Sequence, residues 1–389
     1  MPKKILNILF LCVMIGVLLA GLVRTLCFPH DMNTYENRYA EKVEALSVES
    51  FLNGTFQSSM DTALSDQVHF AQYCKKIYNV THSLFQEKLL VPIAQSNPDR
   101  YVNLFSLQLF GGTHLLHAPA PLETITDSLT AAAHSYNRLF RQFPDTEFYL
   151  YFIENYSTLN FETGEKVPAY AYLTDRIDLP AENTAVFAID DFDTYRQYFF
   201  RTDHHWNYAG SYAAYLELLT LLGISEPALE PQETVTVSSF SGSKAYESGA
   251  DTFSEPFIAH RFDFPEMTIT INGTPADDYG NQTAYLNGTA SGVSYSGFYG
   301  GDAGEIIFDT GSTGRGSLLV FGESFDNAVL KLLASHFDRV YSIDLRNYSH
   351  FMGKEFVLRD YLAEHDEIDS VLLLGSLGFY TSETFRLEG

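Results

Sequence analysis

Residues Arg201-Thr202-Asp203-His204-His205-Trp206-Asn207-Tyr208-Ala209-Gly210 hold the only tryptophan of the chain and two adjacent histidines, with an acid just before them. An aspartate that accepts a hydrogen bond from an imidazole fixes its tautomer and turns the other ring nitrogen into a general base. The residues that follow, 211–219, read as a helix, so the cluster sits at a loop-to-helix junction. Unpaired backbone N–H groups at such a junction favour developing negative charge. The same residues also fit an aspartate cap followed by two structural histidines. A second candidate is Ser324. The apolar run 317–321 reads as a strand, Gly322-Glu323-Ser324-Phe325-Asp326-Asn327 as a sharp turn, and 328–333 as a helix. A serine on such a turn exposes its hydroxyl above helix N–H groups that can bind an oxyanion. Gly322 lets the backbone turn tightly there. Ser324 equally fits an ordinary N-cap with Asn327 at the third helical position.

The block from Thr202 to Asn207, with Gly210 after it, resembles the signature of the bacterial DHHW family. That family is similar to the SGNH-hydrolase-like proteins that O-acetylate alginate, which carry an Asp-x-His-Trp motif followed by a glycine. In those relatives the Asp and His precede the nucleophilic Ser, and the order Asp203, His205, Ser324 matches. The resemblance implies Ser324 as nucleophile, His205 as base, Asp203 as its orienting acid and His204 as a structural neighbour. Adjacent side chains on an extended segment point to opposite sides, which likewise separates His204 from His205. Glu323 departs from the family pattern, where Asp is common. Asp344-Leu345-Arg346 resembles the Asp-Leu-Arg that follows the family's Ser motif. Arg346 is a candidate to hold a substrate oxygen by charge-assisted hydrogen bonds, or to pair with Asp344. Gly322, Asn327 and Trp206 complete the candidate oxyanion and substrate contacts. Glu36-Asn37-Arg38 resembles a family element found shortly after the anchor.

These residues need a rigid support. Apolar runs at 101–105, 147–153, 184–189, 317–321, 339–346 and 371–375 read as strands, and 121–143 as a helix. Strands alternating with helices predict an α/β domain with a mostly parallel sheet flanked by helices. The resemblance makes it SGNH-hydrolase-like, and its expected extent is 53–389. Ligands bind at the carboxyl ends of such strands. Glu154 and Asn155 stand at one, as site residues or as turn formers. Helical spacing also runs from residue 60 to about 88. Between 231 and 316, Gly, Ser, Thr, Asn and Tyr crowd an irregular β-rich excursion, in which Gly297-Phe298-Tyr299-Gly300-Gly301-Asp302 is a candidate loop over the site.

Lys3-Lys4 followed by an apolar run over 5–23 predicts membrane targeting. No small-residue cleavage pattern follows, so residues 1–27 are expected to be an uncleaved anchor rather than a removed signal. Residues 28–52 then form an extended stalk, with the bulk of the chain outside the cell membrane. Of the three cysteines, Cys12 lies in the apolar run, so only Cys27 and Cys74 could pair. A formal net charge of −25 over 389 residues argues against nucleic acid as a partner.

The combined expectation is an envelope-anchored serine esterase or O-acyltransferase acting on acyl groups of a surface polysaccharide, with no cofactor or metal. A transferase would draw on a membrane acyl-donor protein. Two rivals remain. Asp-His-His also suits a metal-dependent phosphoesterase, for which Asp190, Asp191 and Asp193 lie near but at unsuitable spacing. A non-catalytic glycan-binding or scaffold protein is the other.

Overall fold

The apolar runs flanking Ser324 pair at the centre of an eight-stranded sheet. This computed structural model describes residues 3–27, 32–33, 38–40, 42–52, 54–67, 85–104, 106–248 and 253–387. In chain order the sheet strands are β1 (Glu147–Ile153), β2 (Thr184–Phe187), β3 (Thr268–Ile271), β4 (Thr274–Ala276), β5 (Glu305–Asp309), β6 (Ser317–Gly322), β7 (Arg339–Ile343) and β8 (Ile368–Ser376). Across the sheet they run β4-β3-β5-β7-β6-β8-β1-β2. From β7 to β2 every pairing is parallel. The remaining strands, β5, β3 and β4, add on antiparallel.

The strand sequences explain the layering. Parallel strands covered on both faces read as continuous apolar runs, and successive side chains alternate between faces. In β6, Leu318 and Val320 enter one core, while Leu319 and Phe321 enter the other. All four are fully buried, each contributing about 1.5–3 kcal/mol relative to exposure. Helix α1 (Leu122–Gln142) covers the second face through Ile125, Leu129, Ala132, Tyr136 and Leu139, an i, i+4, i+7 stripe. Helix α2 (Tyr208–Leu221) covers the first through Ala214, Tyr215 and Leu218.

Two expectations change. The run at 101–105 does not join the main sheet. Val102–Leu104 pairs instead with Leu107–Phe110, which pairs with His114–Leu116, in a separate antiparallel sheet. Connections this short can make only hairpins, since a parallel crossover takes a dozen or more residues. Within the 231–316 excursion, β3, β4 and β5 extend the main sheet, and Glu233–Phe240 pairs antiparallel with Glu255–Arg261. The excursion is thus partly framework.

The chain divides into two units, Met1–Leu90 with Ala245–Thr252, and Val91–Lys244 with Phe253–Gly389. The sheet belongs to the second, which begins later than residue 53. In the first, Lys3–Cys27 forms one helix with Leu11, Val13, Met14 and Ile15 exposed. Counted over the described side chains alone, no helix is long and apolar enough to cross a membrane. The helix expected over 60–88 is present as Thr55–Gln67, and its continuation over 68–84 lies outside the described residues. Glu36, Asn37 and Cys74 also lie outside them, while Cys27 is exposed.

Candidate active site

The motif loop is closed by its own backbone. Phe199 and Trp206 form an antiparallel bridge, Phe200 N–H donates to the His205 carbonyl at 3.1 Å, and Asn207 N–H donates to the Tyr198 carbonyl at 2.8 Å. Helix α2 starts immediately afterwards. Its cap is Asn207, whose Oδ1 accepts from Ala209 N–H at 2.9 Å and Gly210 N–H at 3.1 Å. Asp203 is therefore not the helix cap and its carboxylate is available to the histidine. Gly210 is required by packing, since a Cβ there would lie 2.2 Å from the Tyr198 carbonyl oxygen.

His205 joins the two halves of the motif. Its Nδ1 lies 2.5 Å from Asp203 Oδ1 and its Nε2 lies 2.7 Å from Ser324 Oγ. Asp203 Oδ1 also accepts from the His205 backbone N–H at 3.0 Å, and Oδ2 accepts from Ser243 N–H at 2.7 Å. Both Asp203 and His205 are buried. Burial alone would raise the Asp203 carboxyl, but the adjoining His205 and His204 rings and these hydrogen bonds hold it well below the ordinary carboxylate range. An ionised acid thus faces Nδ1, which leaves Nε2 to accept a proton from Ser324.

His204 departs from its expected direction. The segment bends rather than running extended, so the His204 and His205 rings lie side by side with centroids 3.8 Å apart. His204 Nδ1 pairs with Ser243 Oγ at 2.8 Å. Desolvation, then the charges of His205, Lys244 and Arg346, hold His204 below the ordinary histidine value, although 38 % of its side chain is exposed. Ligand-type atoms of Asp203, His204 and His205 fall within 4.8 Å of one another, the one such group among the described residues. The acids nearby in sequence, already at unsuitable spacing for a metal, are occupied elsewhere. Asp191 caps a helix through Thr194 N–H, Asp190 pairs with Lys166 and Asp193 with Arg196.

Ser324 sits on the turn after β6, between β7 and β8 in the sheet, where strand ends converge. It caps no helix: the 3₁₀ turn Asp326–Ala328 follows Phe325, and the short helix Leu330–Ala334 begins after Val329. Gly322 is needed for a reason other than the turn itself. Asp326 folds back so closely that a Cβ on Gly322 would lie 2.2 Å from its Oδ2. Burial, with Asp344 and Asp302 nearby, pushes the Asp326 carboxyl well above the ordinary range. Glu323 accepts from Ser376 N–H at 2.7 Å, so the residue that departs from the family pattern ties β6 to the end of β8.

The candidate substrate contacts fare unevenly. Trp206 is fully buried, with its ring 5.9 Å from Phe187 and 5.3 Å from Phe325, so it anchors the loop in the core rather than facing a ligand. Asn327 is also buried. It accepts from Tyr279 Oη at 2.6 Å and donates to Asp302 at 3.2 Å, which makes it a support of the turn. Arg346 pairs with Asp344 at 2.6 Å and with Asp302 at 3.0 Å while keeping 35 % of its side chain exposed. Glu154 bonds Ile189 N–H and Lys166, and Asn155 bonds Ser157 N–H, so both shape the turn after β1.

Three residues of the excursion escaped the sequence reading. Gly242 and Ser243 complete the setting of Asp203, and the Tyr295 ring stacks on His205. Their Ser-Gly-Ser and Ser-Tyr-Ser settings match any polar loop. A Cβ at Gly242 would lie 2.4 Å from Asp203 Cβ and 2.5 Å from the Thr202 carbonyl oxygen. Gly242→Ala should therefore lose about 1–3 kcal/mol of stability. Gly301→Ala, where a Cβ meets nothing within 4 Å, should lose far less. Paired thermal melts check this, and equal losses would contradict it.

A cleft of about 580 Å³ borders the motif loop, lined by His114, Arg196, Gln197, Arg201, Asn207 and Glu255 among others. Ser324 and His205 do not line it. Its charges largely pair with one another, Arg196 with Asp193 and Arg201 with Glu255. Glu255 also accepts from Thr202 N–H and Oγ1 at 2.7 and 2.8 Å, which braces the motif from behind.

Comparison with known structures places the fold. The structure of Bacillus cereus PatB1 with a sulfonyl adduct is 18 % identical, with a TM-score of 0.52 covering 71 % of this chain and 97 % of that one. A DHHW family protein from Eubacterium siraeum is 14 % identical, with a TM-score of 0.53 covering 73 % and 96 %. At these identities the likeness shows the fold alone. A comparison with curated proteins finds no match. The DHHW family model matches residues 161–343, which contain Asp203, His205 and Ser324, and the similarity of this chain to DHHW proteins is thereby shown.

Proposed function

We propose that this protein is a serine esterase or O-acyltransferase acting on acyl groups of a cell-surface polysaccharide. One observation carries the reading: a single imidazole bridges a buried aspartate and a serine hydroxyl, at 2.5 and 2.7 Å. Ser324 Oγ attacks the acyl carbonyl as His205 Nε2 takes its proton, and Asp203 stabilises the imidazolium that forms. His205 then returns the proton to the departing group, a sugar oxygen in a hydrolase cycle or the acyl donor's leaving atom in a transferase cycle, leaving an acyl-serine. Water completes a hydrolase cycle, whereas a sugar hydroxyl completes a transferase cycle. In both, His205 removes the proton from the incoming hydroxyl.

The metal-dependent alternative is weaker here. Both ring nitrogens of His205 already face Asp203 and Ser324, and the neighbouring acids are engaged in caps and ion pairs. The sulfonyl adduct reported for PatB1 suggests a direct test, since sulfonyl fluorides react with activated serines. Phenylmethylsulfonyl fluoride should label the wild type at Ser324, seen as a mass increase on its peptide, and should stop turnover of 4-nitrophenyl acetate. Unlabelled protein that still turns over the ester would overturn the assignment.

The cell membrane is the proposed location, with the apolar run 5–23 that follows Lys3-Lys4 in the sequence as an uncleaved anchor. A surface glycan and a membrane acyl donor would then be the partners. The intact chain should remain in membranes after a carbonate wash. Recovery of exported protein whose N-terminus lies near Cys27 would reject this.

A further inference from the structure

We infer that Tyr295 is a positioning residue for His205, holding the imidazole plane in which Nε2 meets Ser324. The inference rests on the esterase reading for its catalytic meaning and on geometry for its substance. The two rings are 3.7 Å apart and 3° from parallel. His204 lies 3.8 Å from the same imidazole at 36°, and Phe325 lies 5.1 Å from it at 60°. Of these neighbours only Tyr295 lies flat against the imidazole, so it opposes tilting most directly. Its electron-rich face also favours the positively charged imidazole that exists after proton transfer more than the neutral one before it.

The stack is well supported. Tyr295 is buried and opens the short helix Tyr295–Tyr299, capped by Ser294 through Gly297 N–H at 3.0 Å. Beyond it Gly300 has φ 91°, and a Cβ there would lie 2.3 Å from the Tyr279 ring. Asp302 then bonds both Arg346 and Asn327, at 3.0 and 3.2 Å. The loop is therefore tied to the His205 side at one end and to the nucleophile turn at the other. The Tyr295 hydroxyl completes no hydrogen bond among the described residues. The ring face rather than the hydroxyl is what the site uses.

Purified wild type, Tyr295→Leu and Tyr295→Phe test this together. Tyr295→Leu should lower kcat about 30-fold with little change in KM, and Tyr295→Phe should recover most of that loss. In NMR spectra the His205 ring protons, assigned by their loss in His205→Ala, should lie upfield in wild type and Tyr295→Phe. They should move downfield in Tyr295→Leu, because the overlying ring current is gone. Melting temperatures of all variants separate misfolding from misplacement. A folded Tyr295→Leu protein with wild-type kcat, or Tyr295→Phe as impaired as Tyr295→Leu, overturns the inference. If wild type neither turns over the ester nor takes the sulfonyl label, the esterase reading fails. The imidazole shifts then decide the positioning claim, with unchanged lines in Tyr295→Leu overturning it.

Discussion

Ser324→Ala is expected to abolish acyl-ester turnover, by about 10⁴-fold or more, while leaving the protein folded. Its hydroxyl meets His205 Nε2 at 2.7 Å and caps no helix, so its loss removes the nucleophile without exposing orphan backbone groups. The melting temperature should stay close to that of wild type. A serine serving only as a cap would behave in the opposite way, costing about 1 kcal/mol of stability with turnover retained. Esterase assays and thermal melts on the same preparation distinguish the two. Retained turnover in Ser324→Ala would remove the basis of the triad.

The adjacent histidines should respond very unequally. His205→Ala is expected to abolish turnover, because it deletes the ring that reaches both Asp203 and Ser324. Asp203→Asn should lower kcat by about 10⁴-fold by favouring the wrong imidazole tautomer. His204→Ala should keep most of the activity, since its Nδ1 pairs with Ser243 Oγ rather than with the nucleophile. Its ring is nevertheless 3.8 Å from His205, so a modest loss from relaxed packing is expected. A site in which a metal binds both histidines predicts equal losses at the two positions. Such losses, together with metal in the purified wild type, would sink the serine-esterase reading.

Much of the framework was legible because its causes are local. The run at 147–153 is strand β1 over those same residues, and 121–143 becomes α1 with one residue trimmed at each end. Continuous apolar stretches of strand length and a regular helical stripe each specify one structure. Residues 101–105 misled because a strand's sequence does not state its partner. Only two residues separate Leu104 from Leu107, so the chain folds back into a hairpin with Leu107–Phe110 before it can cross to the main sheet.

The sequence by itself determined which side chains could do chemistry and roughly where each would stand. Asp203, His205 and Ser324 were named as candidates by residue type, by place beside a helix start or a strand end, and by the resemblance of their order to DHHW proteins, and the structure brings the three within hydrogen-bond distance. Only the tertiary structure decided which groups complete the site. Ser243 reaches Asp203 from 40 residues downstream, and Tyr295 reaches His205 from within the excursion. Neither contact follows from local propensity, because both depend on where long, irregular segments return to the sheet. The same is true of the two glycines. Gly322 and Gly242 are needed for the close approach of the Asp326 and Asp203 side chains, and space is not written in any run of residues. Trp206 shows the converse: its rarity and its place in the motif suggested ligand contact, yet burial against Phe187 and Phe325 makes it the anchor that fixes the loop. A large apolar ring beside a polar cluster gains more from the core than from solvent, and only packing reveals which way it turns.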